Sequence, residues 1–399
     1  MILVFSNSNG FYGGVQVLSD RFGSYLEEKG IPFVFFDGPD TKLDQKWKNK
    51  LISNERDLIA LSSSISHVFF PSFVSIRTFE KYYDYFPHAK ISGLVVHPNE
   101  PYISFYPLSL KALYLFGYRS IKYIQYILYQ HTKKVSGLFC EAADKEAIFL
   151  MDGATKRALN YFYPDLKKTP QIIPIPSPVY PYIKGKPLDK DTTNVGYLGR
   201  VDYLKMSALR SFISQYSSIE KFNLHLIGGG DKMNELRKFC YNLGVNLVEY
   251  GFRPNDEART ILIENTNFSI AMGTSALDIA STGLPCVIID PSLNQRAPTQ
   301  NRFRFVHEIE DYTLGEYRDS KLYVGGSNSI EDIYNIIKND KDIGIAGRDY
   351  VKLHHDPEKS FSALLEGIMN SKFTGENAGK LIKDINSSFR AIKFYKRGI

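Results

Sequence analysis

The sequence predicts an α/β fold of doubly wound parallel sheets, arranged as two domains, and three observations predict it. In the second half, short apolar runs alternate with helical patterns, and glycines mark many of the joins. The first half opens the same way, with a strand from Ile2 to Phe5, a helix from Val15 to Lys29 and a returning strand from Ile31 to Phe36. A chain of 399 residues also exceeds what one hydrophobic core comfortably organises.

Taken in order, the first strand leads into a polar and aromatic loop, Ser6 to Tyr12, that carries Asn9 and Tyr12 and ends at the pair Gly13-Gly14. A glycine pair there serves a tight turn or a close backbone approach to a ligand. Leu94-Val95-Val96 is a further strand, followed by His97-Pro98-Asn99-Glu100-Pro101 at its carboxyl end, where open α/β sheets place ligands. His97 can hydrogen-bond a hydroxyl or, with Glu100, manage a proton. It can equally fix a proline-rich loop. Lys111 to Gln130, wound as a helix, sets Leu113, Phe116, Ile121 and Ile124 on one face and Tyr118, Arg119, Lys122 and Tyr126 on the other. A tyrosine and cation face suits an anionic membrane surface, or simply water.

In the second half, Asn194 to Leu198 is a strand, Gly199 a sharp turn and Met206 to Tyr216 a helix, with Arg200 and Lys205 on the connecting loop. A guanidinium grips phosphate oxygens as a fork and an ammonium acts as a point charge, so the pair fits two adjacent phosphates. The alternative is two solvated cations. Leu224 to Ile227 is a strand, Gly228-Gly229-Gly230 a turn and Asp231 to Leu243 a helix capped by Asp231. Asn246 to Tyr250 is a strand ending in Gly251-Phe252-Arg253, Asp256 to Asn265 a helix and Phe268 to Met272 a strand. Gly273-Thr274-Ser275 opens a short helix that runs through Ser281, and Cys286 to Asp290 is the next strand.

The run from Val195 to Asp290 resembles the nucleotide-sugar domain of GT-B glycosyltransferases, most closely the family-four retaining group. The resemblance implies two Rossmann-like domains facing each other across a cleft. It assigns 1–178 to an acceptor domain, 179–371 to a nucleotide-sugar domain and 372–399 to a helix crossing back to the first. It also implies that Arg200 and Lys205 grip the donor diphosphate and that Phe252 and Arg253 receive the base. Asp278 would bind ribose hydroxyls, Gly13-Gly14 would face the diphosphate, and His97 would contact the transferring sugar. Gly137 to Glu141 with a helix from Asp144 resembles the family's strand-helix unit, and Gln171 to Pro178 its linker. One departure stands out. The family's first glutamate, eight residues before the ribose carboxylate, is Ile270 here. The segment looks shortened, leaving the amides and hydroxyls of Gly273, Thr274 and Ser275, with Gly229, to meet phosphate or sugar.

Composition bounds the rest. The net charge is +6, with seven Lys and Arg against two Asp and Glu in residues 372–399. No nucleic-acid motif accompanies it, so nucleic acid is not an expected partner. No stretch is long and apolar enough to span a bilayer, and the first residues read as a buried strand, not a leader. Cys140, Cys240 and Cys286 are odd in number and widely spaced, which fits a reducing cytoplasm and no zinc site.

The expected activity is therefore that of a cytoplasmic glycosyltransferase, peripheral on the inner face of the plasma membrane where its acceptor is lipid-linked. It would move a sugar from a UDP- or GDP-linked donor to a glycan or lipid-linked acceptor in surface polysaccharide or glycolipid synthesis, with no cofactor and no metal; the resemblance implies retention, and the missing first glutamate keeps inversion open, with His97 or Glu100 as its base. A noncatalytic GT-B-like chaperone partner of another transferase and a nucleotide-sugar epimerase stay open.

Overall fold

The computed structural model describes residues 1–6, 13–37, 43, 45–98, 100, 105, 128–182, 192–292 and 301–395, with side chains through Ser388. The chain divides into two compact units: 1–114, 119–176 and 358–399 form the first, and 115–118 with 177–357 the second. Each unit holds a six-stranded sheet among the described residues.

In the first unit the strands are β1 (Ile2–Phe5), β2 (Phe33–Phe36), β3 (Leu51–Ile52), β4 (His67–Phe70), β5 (Lys90–Val95) and β6 (Ile148–Leu150). Their order is β3-β2-β1-β4-β5-β6, and every pair is parallel. Strands buried on both faces read as continuous apolar runs, and Ile-Leu-Val-Phe in β1 is one. The chain moves outward from β1 to β3 and then returns to β4 on the other side of β1. That reversal is a topological switch point.

The core of this unit is strongly aromatic, with Phe22, Phe33, Phe35, Trp47 and Phe69 buried together. Phe361, Leu364 and Ile368, from the helix Pro357–Asn370, belong to the same cluster. The Phe361 ring lies 5.5 Å from Phe22 and 5.4 Å from Tyr25. The sequence places the return to the first domain at residue 372. In the structure it begins one helix earlier, with Phe361, Leu364 and Ile368 packed into this aromatic cluster. The helix Gly375–Tyr395 follows, anchored by Lys383 to Asp84 at 2.9 Å and by Ser388 Oγ to His131 Nδ1 at 2.8 Å.

One expected strand is corrected. Residues 137–141 lie inside the helix Tyr129–Asp144, whose buried Val135, Leu138, Phe139 and Ala142 recur at helical spacing. The strand is β6, and it precedes a helix, Gly153–Phe162, capped by Asp152 Oδ1 on Thr155 N–H at 2.7 Å. Residues 111–127 of the expected tyrosine and cation helix lie outside the described residues. Among the described residues no helix is long and apolar enough to cross a membrane.

In the second unit the strands are β7 (Thr193–Arg200), β8 (Phe222–Gly229), β9 (Asn246–Gly251), β10 (Phe268–Ala271), β11 (Cys286–Ile288) and β12 (Arg304–Phe305). Their order is β12-β11-β10-β7-β8-β9, parallel except for β12. The chain steps outward from β7 to β9 and then returns to β10 on the opposite side of β7. The switch point here lies between the carboxyl ends of β7 and β10.

Candidate functional site

The carboxyl edge of the second sheet gathers the residues that the sequence singles out for phosphate. Arg200 is the last residue of β7, and 62% of its side chain is exposed. Lys205 is not on a loop as expected. It stands in the first turn of the helix Tyr203–Tyr216, which begins three residues earlier than its apolar pattern indicates. Asp202 is the reason: its Oδ1 accepts from Lys205 N–H at 3.0 Å and caps the helix. Its Oδ2 lies 3.7 Å from Arg200 Nη2, so the carboxylate that caps the helix of Lys205 also stands beside the Arg200 guanidinium. Burial holds the Lys205 ammonium below its ordinary pKa, against the attraction of Asp202 and with the repulsion of Arg200.

Glycines make room around this pair. Gly199 has φ +151°, and a Cβ there would sit 3.2 Å from the Tyr197 hydroxyl oxygen and 3.3 Å from Lys205 Nζ. Gly228 abuts the neighbouring strand so closely that a Cβ would fall 2.1 Å from the Gly199 carbonyl oxygen. Gly229 has nothing within 4 Å of the corresponding position and is open to a ligand. Val201 N–H to Gly229 O at 2.9 Å and Lys232 N–H to Val201 O at 3.1 Å fasten the two connections after β7 and β8 together. The expected cap at Asp231 is not formed, since the helix runs from Met233 to Asn242 with Lys232 at its N-cap.

Across the switch point, β10 joins the helix Thr274–Ala280 through only Met272 and Gly273. Gly273 N–H donates to Leu314 O at 2.7 Å, and Thr274 and Ser275 are half-buried in the first turn. Asp278 is 5% exposed in the next turn. Ile270 lies inside β10, fully buried and in register with Tyr197, so a glutamate there would enter the core instead of reaching a sugar. Phe252 and Arg253 follow the edge strand β9. The Phe252 ring is 77% exposed, and Arg253 pairs with Glu257 at 3.4 Å.

A buried network supports the edge from the β11 side. Arg304 Nη1 donates to Asp290 Oδ2 at 2.7 Å, the Tyr323 hydroxyl donates to the same oxygen at 2.9 Å, and Glu316 N–H reaches Asp290 Oδ1 at 2.9 Å. Nothing in the local pattern flags this network, because its partners lie 14 to 33 residues apart. Asp202 was open to detection as a helix cap three residues before Lys205.

At the carboxyl edge of the first sheet the chemistry is different. Gly13 caps the helix Gly14–Glu28, its carbonyl accepting from Gln16 and Val17 N–H at 3.1 Å. Asn9 and Tyr12 lie outside the described residues. Glu100 is half-buried beside β5, where the Ser72 hydroxyl donates to Oε1 and Val96 N–H donates to Oε2 at 2.8 Å. Burial outweighs those bonds and pushes its carboxyl up to about 7. His97 is exposed to water, and partial desolvation by the protein around it lowers its imidazole pKa. At neutral pH, His97 is therefore uncharged and Glu100 is near its midpoint.

No family model and no curated protein matches this chain. Solved structures do. A lipopolysaccharide outer core galactosyltransferase, WaaB, in its apo form aligns with a TM-score of 0.57 at 14% identity, over 92% of this chain and 99% of that one. Anabaena HepE, in complex with UDP and glucose, aligns with a TM-score of 0.56 at 10% identity, over 92% and 98%. A glycosyltransferase from Rickettsia africae gives 0.55 at 13% identity, over 92% and 96%. The fold is GT-B, the fold of these glycosyltransferases. At such identities the likeness is one of fold.

Proposed function

We propose that this chain is a glycosyltransferase that moves a sugar from a UDP- or GDP-linked donor to a glycan or lipid-linked acceptor in surface polysaccharide or glycolipid synthesis. The observation that carries the reading is the placement of Arg200 and Lys205 beside an open Gly229 at the switch point of the second sheet. HepE, of the same fold, is described with UDP and glucose, which supports a nucleotide-sugar donor. In this reading Arg200 and Lys205 stabilise the charge that develops on the departing diphosphate. Gly229 and the Gly273-Thr274-Ser275 turn border it, Asp278 takes the ribose and Phe252 with Arg253 the base. The first unit binds the acceptor, with Asn9, Tyr12 and Glu100 as its contributors, while Gly13-Gly14 serves the diphosphate and His97 the transferring sugar, and an anionic membrane surface holds a lipid-linked acceptor near.

Retention follows from the family resemblance, and a second reading, inversion, has its own support. Ile270 in the core leaves no carboxylate at the family's sugar position, while Glu100 titrates near neutrality. As a base, Glu100 would take the acceptor hydroxyl proton as the oxygen bonds the anomeric carbon and the diphosphate departs with its bonding pair.

A thermal-shift screen of nucleotides and nucleotide sugars tests the proposal, since a ligand that binds only the folded chain raises its melting temperature. The expected result is stabilisation by a UDP- or GDP-linked sugar, abolished in the Arg200→Ala/Lys205→Ala double variant. Stabilisation by none of them removes the donor-site reading. Slow donor hydrolysis without acceptor counts against a noncatalytic partner, and the anomeric configuration of product by NMR decides between retention and inversion.

A further inference from the structure

We infer that the Tyr197 hydroxyl is a positioning group that fixes the spacing of Arg200 and Lys205 and so sets the preference of the site for a diphosphate over a monophosphate. The inference rests on the diphosphate reading above.

Tyr197 and Gly199 are two residues apart in β7 and so lie on one face of the sheet. The Tyr197 ring is 1% exposed and belongs to the apolar core of the second unit. Packing alone would be met by phenylalanine. Instead the hydroxyl leaves the core and donates to the Arg200 carbonyl oxygen at 2.7 Å. It also borders the small gap that Gly199 leaves open, and the Lys205 ammonium borders the same gap. The phenol therefore touches the backbone of one cation and lies near the charged head of the other.

The two cations are held by different means. Lys205 is fixed through its own amide by the Asp202 cap, which does not involve Tyr197. Val201 is fixed by its two bonds to the β8 connection. Between the end of the strand and Val201, the Arg200 carbonyl is held by the phenol. Removing the hydroxyl takes away one of the two bonds on the peptide that joins Arg200 to Val201, the Val201 N–H bond to Gly229 O remaining, and lets that peptide tilt while Lys205 stays in place, so the quantity that changes is the distance between the cations. A monophosphate engages either cation alone and is indifferent to that distance. A diphosphate must satisfy both at once.

The test is calorimetry of the full chain with inorganic pyrophosphate and inorganic phosphate, and with UDP against UMP and GDP against GMP. Tyr197→Phe is expected to weaken pyrophosphate and the preferred nucleoside diphosphate by about 5-fold, the worth of one hydrogen bond, while monophosphates change by less than about 2-fold. The ratio is taken within one sample, so partial unfolding affects both probes alike. A second measurement needs no variant. The wild type should bind methylenebisphosphonate, which has pyrophosphate spacing, and discriminate against ethylenebisphosphonate, which is one carbon longer. An unchanged diphosphate-to-monophosphate ratio in Tyr197→Phe, or equal binding of the two bisphosphonates, overturns the inference while the donor site stands. A wild type that binds no diphosphate overturns both.

Discussion

The two sheets share a strand scheme and differ at their carboxyl edges. The second unit offers cations beside glycines, with Arg200 largely exposed and Lys205 next to the gap over Gly199. The first unit offers a neutral imidazole and a carboxyl poised near neutrality, Glu100, bonded by Ser72 and the Val96 amide. One edge is suited to holding a polyanion and the other to handling a hydroxyl proton. Related frames thus carry different chemistry, and the difference lies in the residues after the strands, not in the strands themselves.

The sharpest way to break this comparison is at Glu100. If it is the base, Glu100→Gln should lower turnover by about 100-fold or more with little change in donor affinity. Wild-type kcat/KM should rise with pH through about 7, because the carboxyl must lose its proton to act and burial raises its pKa. A flat profile together with an active Glu100→Gln variant would return the first edge to acceptor binding alone.

The next largest effect belongs to the cations. Arg200→Ala and Lys205→Ala should each cost about 1.5–3 kcal/mol of nucleoside diphosphate affinity, the range for hydrogen bonds to charged groups, with the melting temperature nearly unchanged. Calorimetry that finds full affinity in both variants would defeat the polyanion assignment. The smallest effect is the ribose term. Asp278→Ala should reduce ribonucleotide binding by about 5-fold more than deoxyribonucleotide binding, and equal losses would leave Asp278 a buried core carboxylate.

Much of this is legible in the sequence. The alternation of strand and helix from Asn194 to Asp290 matches β7 to β11, because the strands inside the sheet are buried and announce themselves as short apolar runs, while the edge strand β9 is bounded by Gly244 and Gly251. Arg200 and Gly229, expected on the loop and the turn that follow their strands, are instead the last residues of β7 and β8, which run two residues further than their apolar letters. What escaped depends on side chains meeting through space. The Asp202 cap moves Lys205 from a loop into a helix, and it was missed because Tyr203 and Leu204 precede the clearer apolar run. The Tyr197 hydroxyl is invisible in a run of apolar letters. The family resemblance makes residues 137–141 a strand, whereas the burial of Val135, Leu138 and Ala142 makes them helical.

The helix Pro357–Asn370 has a further consequence, one of timing. The first unit begins at Met1, yet its aromatic core is complete only when Phe361, Leu364 and Ile368 have been added. Apart from 115–118, the second unit is one continuous stretch, 177–357, finished earlier in synthesis. On the ribosome, where domains fold largely as they emerge, the later-encoded unit can close first while the earlier one waits with an apolar face uncovered. The order in which the two cores can be completed then runs opposite to the order in which their first residues are made.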